Sequence, residues 1–218
     1  MTNFQQLQGR VAELAHREWD LPAIEARFKH LVEKGIPEKN LNSQEILRQK
    51  DEILNRIQRR GEEYCYLTRS CAKGSALALL EEFGLGNMEN IRALSPFPGL
   101  AMTGGICGPV AGGLTALGLY FSDKNLADYE NPAHYIAARE FIKRFENVMG
   151  SLLCPEIQKC LLGKSYDPFA GLEELDAFNK SGAREKCPVA PGMGAKIAAE
   201  IIIESMEIVS KRMGKQNS

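Results

Sequence analysis

The sequence predicts an all-α protein: a compact multi-helix bundle with a glycine-rich central helix and an N-terminal helical extension. Three observations predict it. Apolar residues recur at helical spacing through most of the chain, and no run alternates apolar and polar residues as a half-buried strand does. Helix-start chemistry also recurs, in Asn42 with Glu45, in Asn131-Pro132 and in Cys154-Pro155.

Taken in order, Phe4, Leu7, Val11 and Leu14 mark a first helix, and Leu21 to Leu31 a second amphipathic segment ended by Gly35-Ile36-Pro37. Asn42 and Glu45 form a capping pair for a third helix starting near Ser43. Its apolar positions Ile46, Ile53, Leu54 and Ile57 predict a long helix continuing through Cys65 and Cys71 to Phe83, with Gly61 or Gly74 as possible interruptions. Gly84-Leu85-Gly86 stops that run. Met88 to Leu94 reads as a short helix, and Ser95 to Gly105, rich in proline and glycine, as an ordered loop. Pro109 to Phe121 follows as the central helix, because Gly108, Gly112 and Ala116 at four-residue spacing let another backbone approach closely. Asn131-Pro132 opens a helix to about Met149, and Cys154-Pro155 a short one to Leu162. A glycine- and proline-rich loop is expected around Cys187, before a final amphipathic helix from Ala195 to Arg212.

Composition bounds the function. A chain of 218 residues can bury one sizeable core. Its 27 basic and 28 acidic residues give a net charge of −1, without the basic surplus of a nucleic-acid binder. The local stretch Arg56, Arg59-Arg60 reads as a solvated helix face. Met1 to Glu18 is polar and amphipathic, unlike a secretory signal, so the expected location is cytoplasmic. Ala93 to Ser122 carries no charge and is long enough to span a bilayer. However, Pro96, Pro98, Pro109 and seven glycines break it, which predicts a buried loop and core helix and no membrane span.

Six cysteines are too few for a disulfide scaffold in a chain of this size. They could be inert buried thiols, metal ligands or redox thiols. Cys107, Cys154 and Cys187 lie one or two residues before a proline. Such a proline is tolerated in the first helical turn, where free N–H groups and the helix dipole favour a thiolate. Cys154 is the clean case; Cys107 is expected just outside its helix, and Cys187 in a rigid turn. Cys71, Cys107, Cys154 and Cys187 stand roughly thirty to fifty residues apart, so they lack the close pairs of zinc fingers and ribbons. A helical core could still gather them for an iron–sulfur site, and the same setting would also activate a thiol for disulfide exchange.

Cys71-Ala72 opening a core helix, then Cys107 to Gly112 as Cys-Gly-x-x-x-Gly leading to Leu117-Gly118-Leu119, resembles the redox-active C_GCAxxG_C_C proteins. The resemblance continues through Phe141-Ile142-Lys143-Arg144-Phe145, Gly150-Ser151-Leu152-Leu153-Cys154, Leu161-Leu162-Gly163 and Lys186-Cys187-Pro188, and covers about residues 65 to 213. It implies a small helical redox protein defined by Cys71, Cys107, Cys154 and Cys187. Some haem-bearing relatives hold an iron–sulfur cluster in this type of domain. The chain departs from the pattern at Pro109, where the family carries alanine, and at Pro98 to Gly105, in place of a glycine-rich loop. Residues 1–60 fall outside the resemblance and are taken as the extension, with 61–218 as the four-cysteine domain. No Cys-x-x-Cys-His occurs, so covalent haem is not expected.

Other residues carry less. Cys65 and Cys160 lie six residues from Cys71 and Cys154, which on one helix places side chains about 120° apart. They read as buried small hydrophobes, with substitute ligand or resolving thiol as the alternative. His16, His30 and His134 are scattered. Gly104-Gly105-Ile106-Cys107-Gly108 lacks the lysine and preceding strand of a phosphate loop. Tyr64, Tyr66 and Phe97 read as packing residues. The expectation is an iron–sulfur protein for electron transfer or redox sensing, with Cys71, Cys107, Cys154 and Cys187 as ligands. A metal-free thiol–disulfide protein and a helical interaction protein are the alternatives. Expected partners are a redox protein or small-molecule electron carrier, and a second copy in a homodimer.

Overall fold

Short polar side chains set where several helices begin. Asp20 accepts the Ala23 N–H, Asn42 the N–H groups of Gln44 and Glu45, Ser70 that of Lys73, and Asn87 and Asn90 cap each other reciprocally. The structure, a computed structural model, describes residues 3–125 and 131–216. Its helices are α1 (Asn3–Ala15), α2 (Leu21–Lys34), α3 (Ser43–Arg48), α4 (Lys50–Thr68), α5 (Cys71–Phe83), α6 (Met88–Ala93), α7 (Gly99–Met102), α8 (Gly108–Phe121), α9 (Ala133–Met149), α10 (Cys154–Leu162), α11 (Leu172–Lys180), α12 (Ala183–Lys186) and α13 (Val189–Gln216). The fold is all-α, with no strand among the described residues; one isolated antiparallel bridge joins Ile106 and Leu153. No helix of the described residues is long and apolar enough to cross a membrane.

The centre of the bundle is α5, which packs on α4, α8 and α13 and buries Ala72, Ala76, Leu77, Leu79 and Leu80. Phe141 and Phe145 from α9 and Ile202 and Ile203 from α13 complete this layer. The small face of α8 is used inside the chain. A Cβ on Gly112 would fall 2.1 Å from Ser75 Oγ and 2.5 Å from Ala72 O, so only glycine lets α8 meet α5 this closely.

The single long helix expected from Ser43 to Phe83 is three helices. It breaks at Gln49 and at Arg69-Ser70, where Arg69 takes a left-handed conformation (φ 53°) and Ser70 caps the next helix. Gly61 and Gly74 do not interrupt it; they are the crossing point of the α4–α5 hairpin. A Cβ on Gly74 would lie 2.7 Å from Gly61 O. Across the same hairpin Arg56 clamps Glu82 through two hydrogen bonds of 3.0 and 2.7 Å, while Arg60 reaches Glu81 and Glu82. This arginine stretch is therefore not a merely solvated face; only Arg59, bonded to Glu63, is largely exposed.

The final helix begins six residues earlier than expected, at Val189. Pro191 is accommodated because first-turn N–H groups have no helical partner to lose. Gly192 and Gly194 serve close approach, to Glu62 and Gln58 on α4 and to Pro109 and Phe145. The loop expected around Cys187 is thus a single turn between α12 and α13. Helix α11 has no counterpart among the expected elements. Within the expected loop from Ser95 to Gly105, α7 is a tight turn in which Gly99, Leu100, Ala101 and Met102 all have positive φ.

The extension packs onto this bundle through buried charge. Arg10 and Arg17 both bond the Glu62 carboxylate, whose side chain is fully buried, and burial pushes that carboxyl up against their pull. Arg27 bonds Glu63 and donates to the Tyr64 hydroxyl, which in turn donates to Glu81. Helix α4 runs without a break across residues 60 and 61.

Candidate functional site: a cysteine-lined cavity

Three helix starts deliver three of the thiols. Cys71 is the first residue of α5, Cys107 immediately precedes α8, and Cys154 is the first residue of α10. The Cys154 and Cys107 segments are tied edge to edge: the Cys107 N–H donates to Leu152 O at 2.8 Å and the Cys154 N–H to Gly105 O at 2.9 Å. Gly108 seats the start of α8 on the start of α5, since a Cβ there would fall 2.4 Å from Cys71 Sγ. Cys187 enters from the turn between α12 and α13. All four line one cavity of about 460 Å³.

Cys65, from the last turns of α4, is a fifth thiol in the same wall. The helical-spacing argument does not apply to it, because Cys65 and Cys71 belong to different helices of the hairpin. It is nonetheless buried, as expected of a small hydrophobe. Cys160 is outside the cavity lining, with the Gln8 side chain beside its sulfur and bonded to its carbonyl. His16, His30 and His134 are outside it too.

The thiols are not equivalent. A hydrogen bond from Cys107 to Cys154 favours the proton on Cys107 and the charge on Cys154. The Cys107 thiol is accordingly pushed well up, by its hydrogen bonds with Cys154 and Cys71 and by burial. Cys154 is lowered to about 7, first by the Cys107 hydrogen bond and also, against burial, by Gln158. Gln158 Nε2 donates to Cys154 Sγ at 3.4 Å, and its Oε1 accepts the Tyr166 N–H at 2.7 Å, which fixes the orientation of the amide. Burial pushes Cys65 and Cys187 up.

Gln158 was missed in the sequence. Its only signal is a position four residues after Cys154, which places both on one helix face. The α7 turn was missed as well. Its φ values of 54°, 50°, 58° and 59° fold Gly99 and Met102 into the cavity wall, with a Gly99 Cβ position 3.4 Å from Cys154 Sγ. Each non-glycine residue held there costs about 1–2 kcal/mol, a strain of the kind concentrated at functional sites.

Among the described residues no three His, Cys, Asp or Glu side chains converge as they would around a single metal ion. An iron–sulfur cluster takes four cysteine thiolates. Four thiols around one cavity, with helix N-termini beside three of them, fit that requirement.

A helical bundle that gathers four dispersed cysteines around one cavity defines a class of thiol-centred helical proteins. The family described as "Putative redox-active protein (C_GCAxxG_C_C)" matches residues 69–201, more than half of the chain and including all four of these cysteines. The chain belongs to that family, which supports a redox role. Cys65 and the extension lie before the matched region. Neither the curated proteins nor the solved structures returned a match.

Proposed function

We propose that this redox protein holds an iron–sulfur cluster through Cys71, Cys107, Cys154 and Cys187, for electron transfer or redox sensing. The observation that carries the reading is the gathering of these four thiols around one cavity from four separate parts of the chain. Such a cluster, when bound, supplies one-electron transfer at a potential set by hydrogen bonding to sulfur and by burial. The chain's own residues supply the setting. Gln158 directs an amide N–H at Cys154, the Gly105–Cys107 and Leu152–Cys154 segments hold two thiols in register, and Ile157 and Leu161 keep the wall apolar. Purification and reconstitution without oxygen, followed by an absorption spectrum, test it. Visible sulfur-to-iron bands are expected; a colourless protein after reconstitution would refute the assignment.

A metal-free dithiol is the second reading, favoured by the hydrogen bond between Cys107 and Cys154. In it the two thiols lose two protons and two electrons to a peroxide or disulfide acceptor and form one S–S bond. Differential alkylation before and after reduction detects this bond, and labelling unchanged by oxidant excludes it. Under either reading we place the protein in the cytoplasm as a homodimer, serving a redox partner protein or a small-molecule carrier. Exposed Leu119, Tyr135 and Ile136 support the dimer, which sedimentation measures.

A further inference from the structure

The cavity holds more than thiols. Beyond the sulfurs its wall is largely apolar, with Ile157, Leu161 and Phe178, and its remaining polar lining includes two arginines, Arg69 and Arg184. Ligand pockets typically have this make-up, an apolar body and a few convergent polar groups in a volume of roughly 300–1,000 Å³. The volume here, about 460 Å³, falls within that range.

The two arginines differ from most others in the chain. Arg10, Arg17, Arg27, Arg56, Arg60 and Arg144 are all bonded to carboxylates. Arg69 and Arg184 have no carboxylate partner among the described residues, although Glu185 also lines the cavity. The two are placed differently. Arg69 is carried on the left-handed residue that ends α4, its N–H bonded to Cys65 O at 2.8 Å. The Arg184 guanidinium lies 4.5 Å from the centre of the Tyr66 ring. Tyr66 is in turn stacked on Trp19, with ring centres 4.1 Å apart and planes 9° from parallel, and Arg17 covers the other ring at 5.0 Å. A stack of two rings with a cation at each end therefore runs from the extension to the cavity, and it fixes a cation at the rim without neutralising it.

We infer that the cavity binds a small anionic molecule with an apolar body, its carboxylate, phosphate or sulfonate gripped by Arg69 and Arg184 and its body laid along the wall beside the cysteines. Guanidinium groups suit such oxygens because their fixed N–H fork matches two acceptors at once. This deepens the redox reading by naming the class of molecule that meets the thiols, and rests on that reading for what the meeting accomplishes. It also gives the extension a role in binding, because Trp19 backs the ring that positions Arg184.

The test uses a pair of fluorescent probes on the full chain, 8-anilinonaphthalene-1-sulfonate and N-phenyl-1-naphthylamine, which share their rings and differ in the sulfonate. The sulfonate probe should bind once per chain and slow iodoacetamide labelling of Cys154 in the metal-free protein. Arg69→Gln and Arg184→Gln should each weaken it about tenfold, the scale of one hydrogen bond to a charged group, and leave the neutral probe unchanged. Tyr66→Leu should weaken it as Arg184→Gln does, and the surface control Arg139→Gln should not. Equal losses for both probes, an equal loss in the control, or binding that leaves Cys154 labelling untouched would overturn the inference. Iron content is measured separately. A chain that takes up no iron but binds the probe as described contradicts only the cluster, and one that takes up iron but shows no arginine dependence contradicts only the rim.

Discussion

At the residue scale the site depends on who keeps the proton. The hydrogen bond between Cys107 and Cys154 favours the proton on Cys107 and the charge on Cys154, and Gln158 steadies that charge with an amide whose other end is committed to Tyr166. In the metal-free chain Cys154 labelling should therefore rise with pH to half its maximum near about 7, because the thiolate is the nucleophile. Gln158→Leu should move that midpoint upward, since removing a donor to the charged form favours the neutral thiol. A midpoint that stays put under this change would remove Gln158 from the site. The four family cysteines were legible because sulfur is chemically distinctive and prolines mark two of the helix starts. Gln158 was not, because a glutamine four residues along a helix looks like any other until Tyr166 returns to fix it.

At the element scale glycine spacing decides how closely helices approach. Gly112→Ala should destabilise by about 1–3 kcal/mol, the usual cost of overpacking, because its Cβ meets Ser75 Oγ and the Ala72 carbonyl. Gly118→Ala, on the same helix with nothing within 4 Å, should instead stabilise by about 0.5–1 kcal/mol. Ala101→Gly should also stabilise, by about 1 kcal/mol, by releasing a left-handed residue. Denaturant midpoints of the three variants check all three signs. The close-packed face of α8 was readable from its four-residue spacing of small residues. The break at Arg69-Ser70 was not, because apolar periodicity runs through it and the turn depends on a left-handed arginine that no local preference announces. Pro191 and Gly192 misled in the other direction: they read as a loop, yet one falls in the permissive first turn and the other lets α13 press against Glu62.

At the scale of the whole molecule the extension and the cysteine bundle share buried charge. Glu62 is enclosed by Arg10 and Arg17, and the Tyr66 ring by Trp19 and Arg184. The chain has a single tryptophan, and it lies in the extension. Its fluorescence should unfold together with the far-ultraviolet helical signal in one transition; an earlier fluorescence transition would show the extension to be independent. Arg17→Leu should lower stability by about 2 kcal/mol, because Glu62 then keeps one guanidinium instead of two. The all-α class was legible from periodicity alone, whereas the fit of extension to bundle was not, since it joins residues more than thirty positions apart. The central claim is that Cys71, Cys107, Cys154 and Cys187 act together on one cluster. The most direct measurement is iron and acid-labile sulfide per chain, after reconstitution without oxygen, in the wild type and in single cysteine-to-serine variants. Both should be bound in the wild type, lost or sharply reduced at each of those four positions, and kept in Cys160→Ser. An iron-free wild type, or a loss at Cys160 equal to that at the other four, would contradict it.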